Sequence, residues 1–160
     1  MNDKLTVWLT VGAPASGKST FSKVLIEGDA NIIRVCPDDN RRTISGDSNN
    51  QAVSYPAFCM AKEQMTKAMG EGHHVIVDAT FMHRKARKDF INIAKGQGAQ
   101  VIAMVFECDK ATLMARNAKR AADGGRNVAE HVIDAMLMKY QVPTEEEGFD
   151  KVTFVCKIKP

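Results

Sequence analysis

The chain has 160 residues, 44% of them hydrophobic and 26% charged, with a net charge of +3. This length suits one domain, residues 1–160, with a real core, and the composition is ordinary for a soluble globular protein. A charge of +3 falls short of the strongly basic balance that would itself imply nucleic acid. No apolar stretch approaches the ~20 residues of a membrane span, and the first apolar run lacks a signal-peptide layout, so the expected setting is cytoplasmic, without a membrane partner.

The first apolar run, Leu5-Thr6-Val7-Trp8-Leu9-Thr10-Val11, reads as a buried strand. It leads into Gly12-Ala13-Pro14-Ala15-Ser16-Gly17-Lys18-Ser19, which matches a phosphate-binding loop at every fixed position. The next residues, from Thr20 to Ile26, place Phe21, Val24 and Leu25 at helical spacing. Strand, glycine loop and helix gather backbone N–H groups and a helix N-terminus around one point, a preformed anion site. Residues 12–20, Thr20 included, are therefore the predicted contacts of a nucleoside triphosphate. Lys18 would reach its β- and γ-phosphates, and the Ser19 hydroxyl would hold Mg²⁺.

A second strand at residues 32–36 ends in Pro37-Asp38-Asp39-Asn40-Arg41-Arg42, and a third at residues 74–78 ends in Asp78-Ala79-Thr80. Ligands of open parallel sheets sit at the carboxyl ends of the strands, so both segments join the candidate site. An aspartate there can accept a hydroxyl's proton, and an arginine one turn on can offset charge on a phosphate. Asp38 is the candidate base and Arg41 its companion. The alternative for Asp38 is a helix N-cap, which Asp39 could fill equally well. Asp78, after Val75-Ile76-Val77, resembles a Walker-B carboxylate holding Mg²⁺ or its water shell; the alternative is an N-cap or a strand-end turn. Between these strands, Ser45-Gly46-Asp47-Ser48-Asn49-Asn50 reads as a mobile surface loop before a helix at residues 57–69, with Phe58, Ala61, Met65 and Ala68 on one face.

His83-Arg84-Lys85-Ala86-Arg87-Lys88 is the densest basic run and opens a helix at residues 84–95. Such a run is a solvated helix face or, without nearby aromatics, a contact for a nucleic-acid backbone that reads no base. A fourth strand at residues 100–107 precedes a helix at residues 109–121 with Asp109 as N-cap. Ala121-Ala122-Asp123-Gly124-Gly125-Arg126 then interrupts the pattern, as a simple turn or as a lid closing over the triphosphate. Arg116 and Arg120 share a helix face one turn apart, and with Arg126 they are candidates for stabilising transition-state charge. The last helix has a capping-box-like start in Asn127 and Glu130, a stripe of Ile133, Met136, Leu137 and Tyr140, and a stop before Pro143; a fifth strand follows at residues 151–157.

The four cysteines form no Cys-x-x-Cys pair and read as buried free thiols. His73 and His74 point to opposite faces of a strand and make a poor metal pair. Strands alternating with helices predict an α/β fold with a parallel sheet of about five strands and helices on both faces; the phosphate loop and the resemblance given next imply the P-loop kinase type, with a lid.

The order of these motifs resembles the kinase domain of the 5′-hydroxyl polynucleotide kinases, over nearly the whole chain. Gly12–Ser19 is similar to that family's phosphate loop. Asp38-Asp39 with Arg41 resembles its second-strand motif, which implies Asp38 as general base and Arg41 as the ligand of the acceptor 3′-phosphate. Asp78-Ala79-Thr80 resembles its Asp-x-Thr, and Arg116-Asn117-Ala118-Lys119-Arg120 its Arg-Asn-x-x-Arg lid motif, implying that Arg116 and Arg120 bind ATP and that Arg120 engages its phosphates. Pro143 with Glu147-Gly148-Phe149 resembles the ending of some members. The family usually has a basic residue where Pro37 stands and often an asparagine where Phe81 stands, both near the acceptor side. The Asp-x-Asp motif of the phosphatase domain often fused to this family does not occur here. The resemblance thus implies ATP and Mg²⁺ as cofactors and 5′-hydroxyl ends of DNA or RNA as substrate. A kinase acting on a small-molecule hydroxyl, such as a sugar, nucleoside or antibiotic, would use the same loop, base and lid; an ATP-binding module without transfer activity is a third reading.

Overall fold

The computed structural model describes residues 3–158. Five parallel strands form one sheet: β1 (Thr6–Val11), β2 (Ile32–Val35), β3 (His74–Val77), β4 (Gln100–Phe106) and β5 (Lys151–Cys156), in the order β2-β3-β1-β4-β5. Around it lie α1 (Lys18–Gly28), α2 (Pro37–Ser45), α3 (Ser54–Gly70), α4 (Arg84–Gly96), α5 (Lys110–Ala122) and α6 (Glu130–Lys139). The α/β sheet expected from the sequence is present, with strand ends within a residue or two of expectation.

Alternation sets the layers. Val7, Leu9 and Val11 of β1 share a face with Val75 and Val77, and with Val101, Ala103 and Val105. On that face pack Ala61, Met65 and Met69 of α3 and Phe90, Ile91 and Ala94 of α4, the main core. The crossover through α1 runs along the sheet in the opposite sense to those through α3 and α4. Right-handed crossovers therefore put α1 on the other face. A smaller cluster of Ala13, Met82, Leu113, Val128 and Ile133 joins α5 and α6 to the underside of the phosphate loop.

Several local expectations change. Val24 is 63% exposed, and the buried residues of α1 are Lys18 and Ser22, because its inward side faces the loop and the sheet end. Asp38 and Asp39 cap nothing: Pro37 takes the first helical position of α2, Cys36 is its N-cap residue, and both aspartates lie in the first turn. Asp109 does cap α5, accepting from the Thr112 amide at 2.8 Å. The box expected from Asn127 and Glu130 does not form; Ala129 precedes α6, and the Asn127 side chain instead accepts from the Asn117 amide at 3.2 Å. A capping box forms later, between Thr144 and Glu147. Of the cysteines only Cys36 is buried; Cys156 is exposed on β5, an edge strand.

The basic run at residues 83–88 is not one charged surface. Arg87 is fully buried, paired with Glu147 at 2.8 Å and donating to the carbonyls of Phe81 at 2.7 Å and Gln141 at 3.0 Å. Glu147 therefore serves the core, and Phe149 after it is a core residue. Phe81 is buried too, edge-on to Phe90 with ring centroids 5.0 Å apart, and its φ of 44° lies in the left-handed region. No helix among the described residues is long and apolar enough to cross a membrane.

Candidate active site

The carboxyl ends of β1, β2 and β3 and the helix α5 enclose a cleft of about 690 Å³. Backbone and hydroxyl contacts fix its floor. Thr10 Oγ1 donates to the Ala79 carbonyl at 2.7 Å and accepts from the Ala79 amide at 3.0 Å. The Gly12 amide donates to the Thr80 carbonyl at 2.9 Å. These bonds clamp Asp78-Ala79-Thr80 beside the phosphate loop.

The loop needs glycine at two places. At Gly12 a Cβ would stand 2.6 Å from Ser16 Oγ and 2.9 Å from the Phe106 carbonyl oxygen, so only hydrogen fits. Gly17 has φ 104°, a conformation L side chains rarely adopt, and Ala15 is also left-handed at 68°. Successive turns of this kind aim backbone N–H groups inward, forming an anion nest. Residues 15–20 line the cleft, with Ser19 and Thr20 exposed to it. Gly12, Ala13 and Pro14, expected among the nucleotide contacts, form the buried underside of the loop and do not line the cleft.

Lys18 is buried at the start of α1, with Nζ donating to the Ala13 carbonyl at 2.7 Å and standing 3.4 Å from Ser16 Oγ. Burial pushes its pKa down to about 8, partly countered by Asp78 and reinforced by Arg120 and Arg126. Asp78 is 3% exposed, and its Oδ2 accepts from Arg34 Nε at 3.0 Å and Nη2 at 2.7 Å. Both bonds fall on one oxygen, which leaves Oδ1 for the cleft. The oxygen-bearing side chains on the cleft lining include the Ser19 hydroxyl and the Asp78 carboxylate. That hard, sparse donor set fits Mg²⁺, which takes one or two protein oxygens and completes its shell with phosphates and water. It does not amount to a self-sufficient metal cage; no cluster of three His, Cys, Asp or Glu groups for a metal occurs among the described residues.

Asp38 lines the same cleft and is held by two arginines. Arg41 Nη2 bonds its Oδ1, and Arg126 Nη1 bonds its Oδ2. Arg41 is buried behind Asp38, its Nε donating to the Ser48 carbonyl at 2.7 Å, and does not itself line the cleft. Arg126 does. Burial lowers the pKa of both arginines, helped at Arg41 by the charge of Arg126 and at Arg126 by that of Arg42. The loop at residues 45–50 supplies this arrangement: Ser48 is buried, and Asn49 Oδ1 accepts from Arg126 Nε at 2.5 Å.

The segment at residues 121–126 is also tied down. Arg120 Nε donates to the Arg126 carbonyl at 2.7 Å, and buried Asn117 bonds both the amide and the carbonyl of Val128. Arg116 is exposed on the cleft rim and Arg120 half-buried within it, so the helix-face pair does point one way. Arg34, Ser48, Asn49 and Asn117 have structural parts here that motif reading did not assign. Arg34 had a signal, a lone charge inside the apolar run Ile32-Ile33-Arg34-Val35.

Comparison with known proteins agrees with this architecture. A curated relative, the transcription factor bHLH140 of Arabidopsis thaliana, is 30% identical over 157 residues, covering 94% of this chain and 16% of the relative. The L-seryl-tRNA(Sec) kinase of Methanococcus maripaludis is 25% identical over 151 residues, covering 89% of this chain and 55% of that protein. Among solved structures, a Pnkp1/Rnl/Hen1 RNA repair complex contains a chain with a TM-score of 0.78 at 26% identity, matching 94% of this chain and 48% of that one. A gluconokinase from Sinorhizobium meliloti shares the fold at a TM-score of 0.63 and 14% identity, over 98% of this chain and 86% of that one. This chain therefore spans from one sixth to about half of the first three relatives. The family model described as an AAA domain matches residues 7–143, and this chain, with its phosphate loop and five-stranded parallel sheet, belongs to that family and has a P-loop kinase-like fold.

Proposed function

We propose that residues 1–160 act as one domain that transfers the γ-phosphoryl group of ATP to the 5′-hydroxyl end of a DNA or RNA strand. The observation that carries this reading is Asp38: a carboxylate in the phosphate-loop cleft, flanked by two guanidinium groups that together leave a surplus positive charge. That surplus suits an acceptor bearing a phosphate next to its hydroxyl. The partial likeness to a chain of an RNA repair complex supports a nucleic-acid acceptor.

In the reaction the loop amides and Lys18 hold the β- and γ-phosphates. Asp38 accepts the proton of the attacking hydroxyl as its oxygen bonds the γ-phosphorus and ADP departs. Arg41 orients Asp38 and, with Arg126, meets the acceptor phosphate. Arg120, with Arg116 on the rim, faces the ATP phosphates and offsets transition-state charge. Ser19 and Asp78 would hold Mg²⁺, which supplies charge neutralisation at the phosphates when bound.

Labelled ATP and a single-stranded 5′-hydroxyl oligonucleotide test the reading. The wild type labels the oligonucleotide, and Asp38→Asn loses about 10²–10⁴ of the rate while still binding ATP. ATP consumption with no label on any oligonucleotide, or full activity in Asp38→Asn, overturns it.

A further inference from the structure

Beside the phosphate cleft lies a second cavity of about 540 Å³, and Thr80 lines both. Nothing in the transfer chemistry above uses it. Tyr55, in the first turn of α3, lies on its lining with 81% of its surface open. Phe58, one turn on, presents a second ring and is fixed from behind by edge contacts to Phe81 and Phe90. Three lysines line the cavity. Lys62 is neutralised by Asp89 at 2.7 Å, whereas Lys85 and Lys139 make no ion pair among the described residues.

Several polar side chains on the lining are already engaged. Asp89 serves Lys62, the Ser54 hydroxyl donates to Gln51 Oε1 at 3.1 Å, and His83 Nδ1 caps α4 through the Ala86 amide at 3.2 Å. A polyol site requires several convergent free hydrogen-bonding groups. Aromatic faces with unpaired cations beside them are instead what unpaired bases and their phosphates require. The charge and the rings therefore favour one occupant.

We infer that this cavity seats the unpaired 5′ segment of the acceptor strand, its bases stacking on Tyr55 and its phosphates meeting Lys85 and Lys139. This rests on the polynucleotide reading above and adds where the strand runs: from Asp38, past Thr80, along the start of α3. The seat accepts single strands or frayed ends, because stacking on Tyr55 requires a base freed from its partner. It is tolerant of sequence, since stacking uses a face that every base has.

The test uses steady-state kinetics with a single-stranded 5′-hydroxyl hexanucleotide, and fluorescence anisotropy of the same strand bound to the ADP-loaded protein. Tyr55→Ala raises KM and weakens binding about tenfold or more, the loss falling on KM rather than kcat, while Tyr55→Phe behaves as the wild type. Lys85→Gln and Lys139→Gln each lower the slope of log affinity against log salt by about 0.7. If the wild type labels the hexanucleotide and these variants match it within twofold, the seat is overturned and the polynucleotide reading stands. If the wild type neither binds nor labels the strand but labels a polyol such as gluconate, both fall together.

Discussion

Arg126 and Asp38, 88 residues apart in the chain, are ion-paired inside the cleft, and the same arginine is held by Asn49 from the opposite loop. The pair couples the segment after α5 to the start of α2. A substrate phosphate arriving at Asp38 can take over a guanidinium that the carboxylate now holds. Arg126→Ala should therefore raise KM about tenfold for a nucleoside 3′-phosphate, consistent with loss of one charge-assisted hydrogen bond of about 1.5 kcal/mol. The same variant should change KM for the phosphate-free nucleoside far less. The ratio of kcat/KM for the two acceptors is the measurement; equal losses on both would mean Arg126 has no part in phosphate recognition.

Lys18 predicts a pH dependence. Its pKa of about 8 in the nucleotide-free protein lies below its ordinary 10.5, because burial penalises the charge. The unfolded chain then binds more protons than the folded one between about pH 8 and 10.5, so stability rises with pH across that window. Lys18→Met removes the buried charge and should melt above the wild type at pH 7, the gap closing towards pH 10. Nucleotide phosphates restore the proton, so ATP affinity should fall as pH rises through 8. Calorimetry in buffers of different ionisation enthalpy should register proton uptake on binding near pH 8.

Glu147 and Arg87 form a buried pair, 4% and 0% exposed. Removing one partner leaves an uncompensated buried charge, which costs about 3–5 kcal/mol. Glu147→Gln should lower the urea midpoint accordingly. Because Arg87 also holds the Phe81 carbonyl, the variant should loosen the Thr80–Met82 backbone first, visible as faster amide exchange there than in β1.

Gly12 admits no side chain. Gly12→Ala must push the loop off Ser16 or off the Phe106 backbone, at about 1–3 kcal/mol of strain. The expected result is a folded protein of lower melting temperature whose ATP affinity falls at least tenfold. Unchanged ATP affinity would contradict the packing described at this glycine.

The strands, the phosphate loop and the Asp38–Asp78 pair could be read from the chain because each is local. Continuous apolar runs mark buried parallel strands, and the loop's eight positions are contiguous. What could not be read depends on partners far away in sequence. Arg87 looked like part of a basic surface until Glu147, 60 residues on, drew it into the core. Asn127 looked like a cap because its spacing to Glu130 was right, yet the Asn117 amide competes for it and the cap is lost. Phe81 stood in an acceptor-side motif, but its ring found Phe90 and turned inward at the expense of a left-handed backbone. Arg126 was one of three lid arginines with nothing local to single it out; Asn49 and Asp38 do so only in three dimensions.

The strand order β2-β3-β1-β4-β5 has a consequence for how such proteins diverge. The phosphate loop follows the central strand. Asp38, Thr80 and Tyr55 all come from segments that flank β2 and β3, while Phe106, Val155 and Cys156 close the cleft from β4 and β5. Under the proposed reaction, the acceptor meets Asp38, Thr80 and Tyr55 on the β2–β3 side, with Arg126 and Lys139 reaching across from the segment between β4 and β5. Substitutions in α2 and the first turns of α3 can then change the acceptor side while the phosphate loop stays as it is. A gluconokinase and a chain of an RNA repair complex share this scaffold.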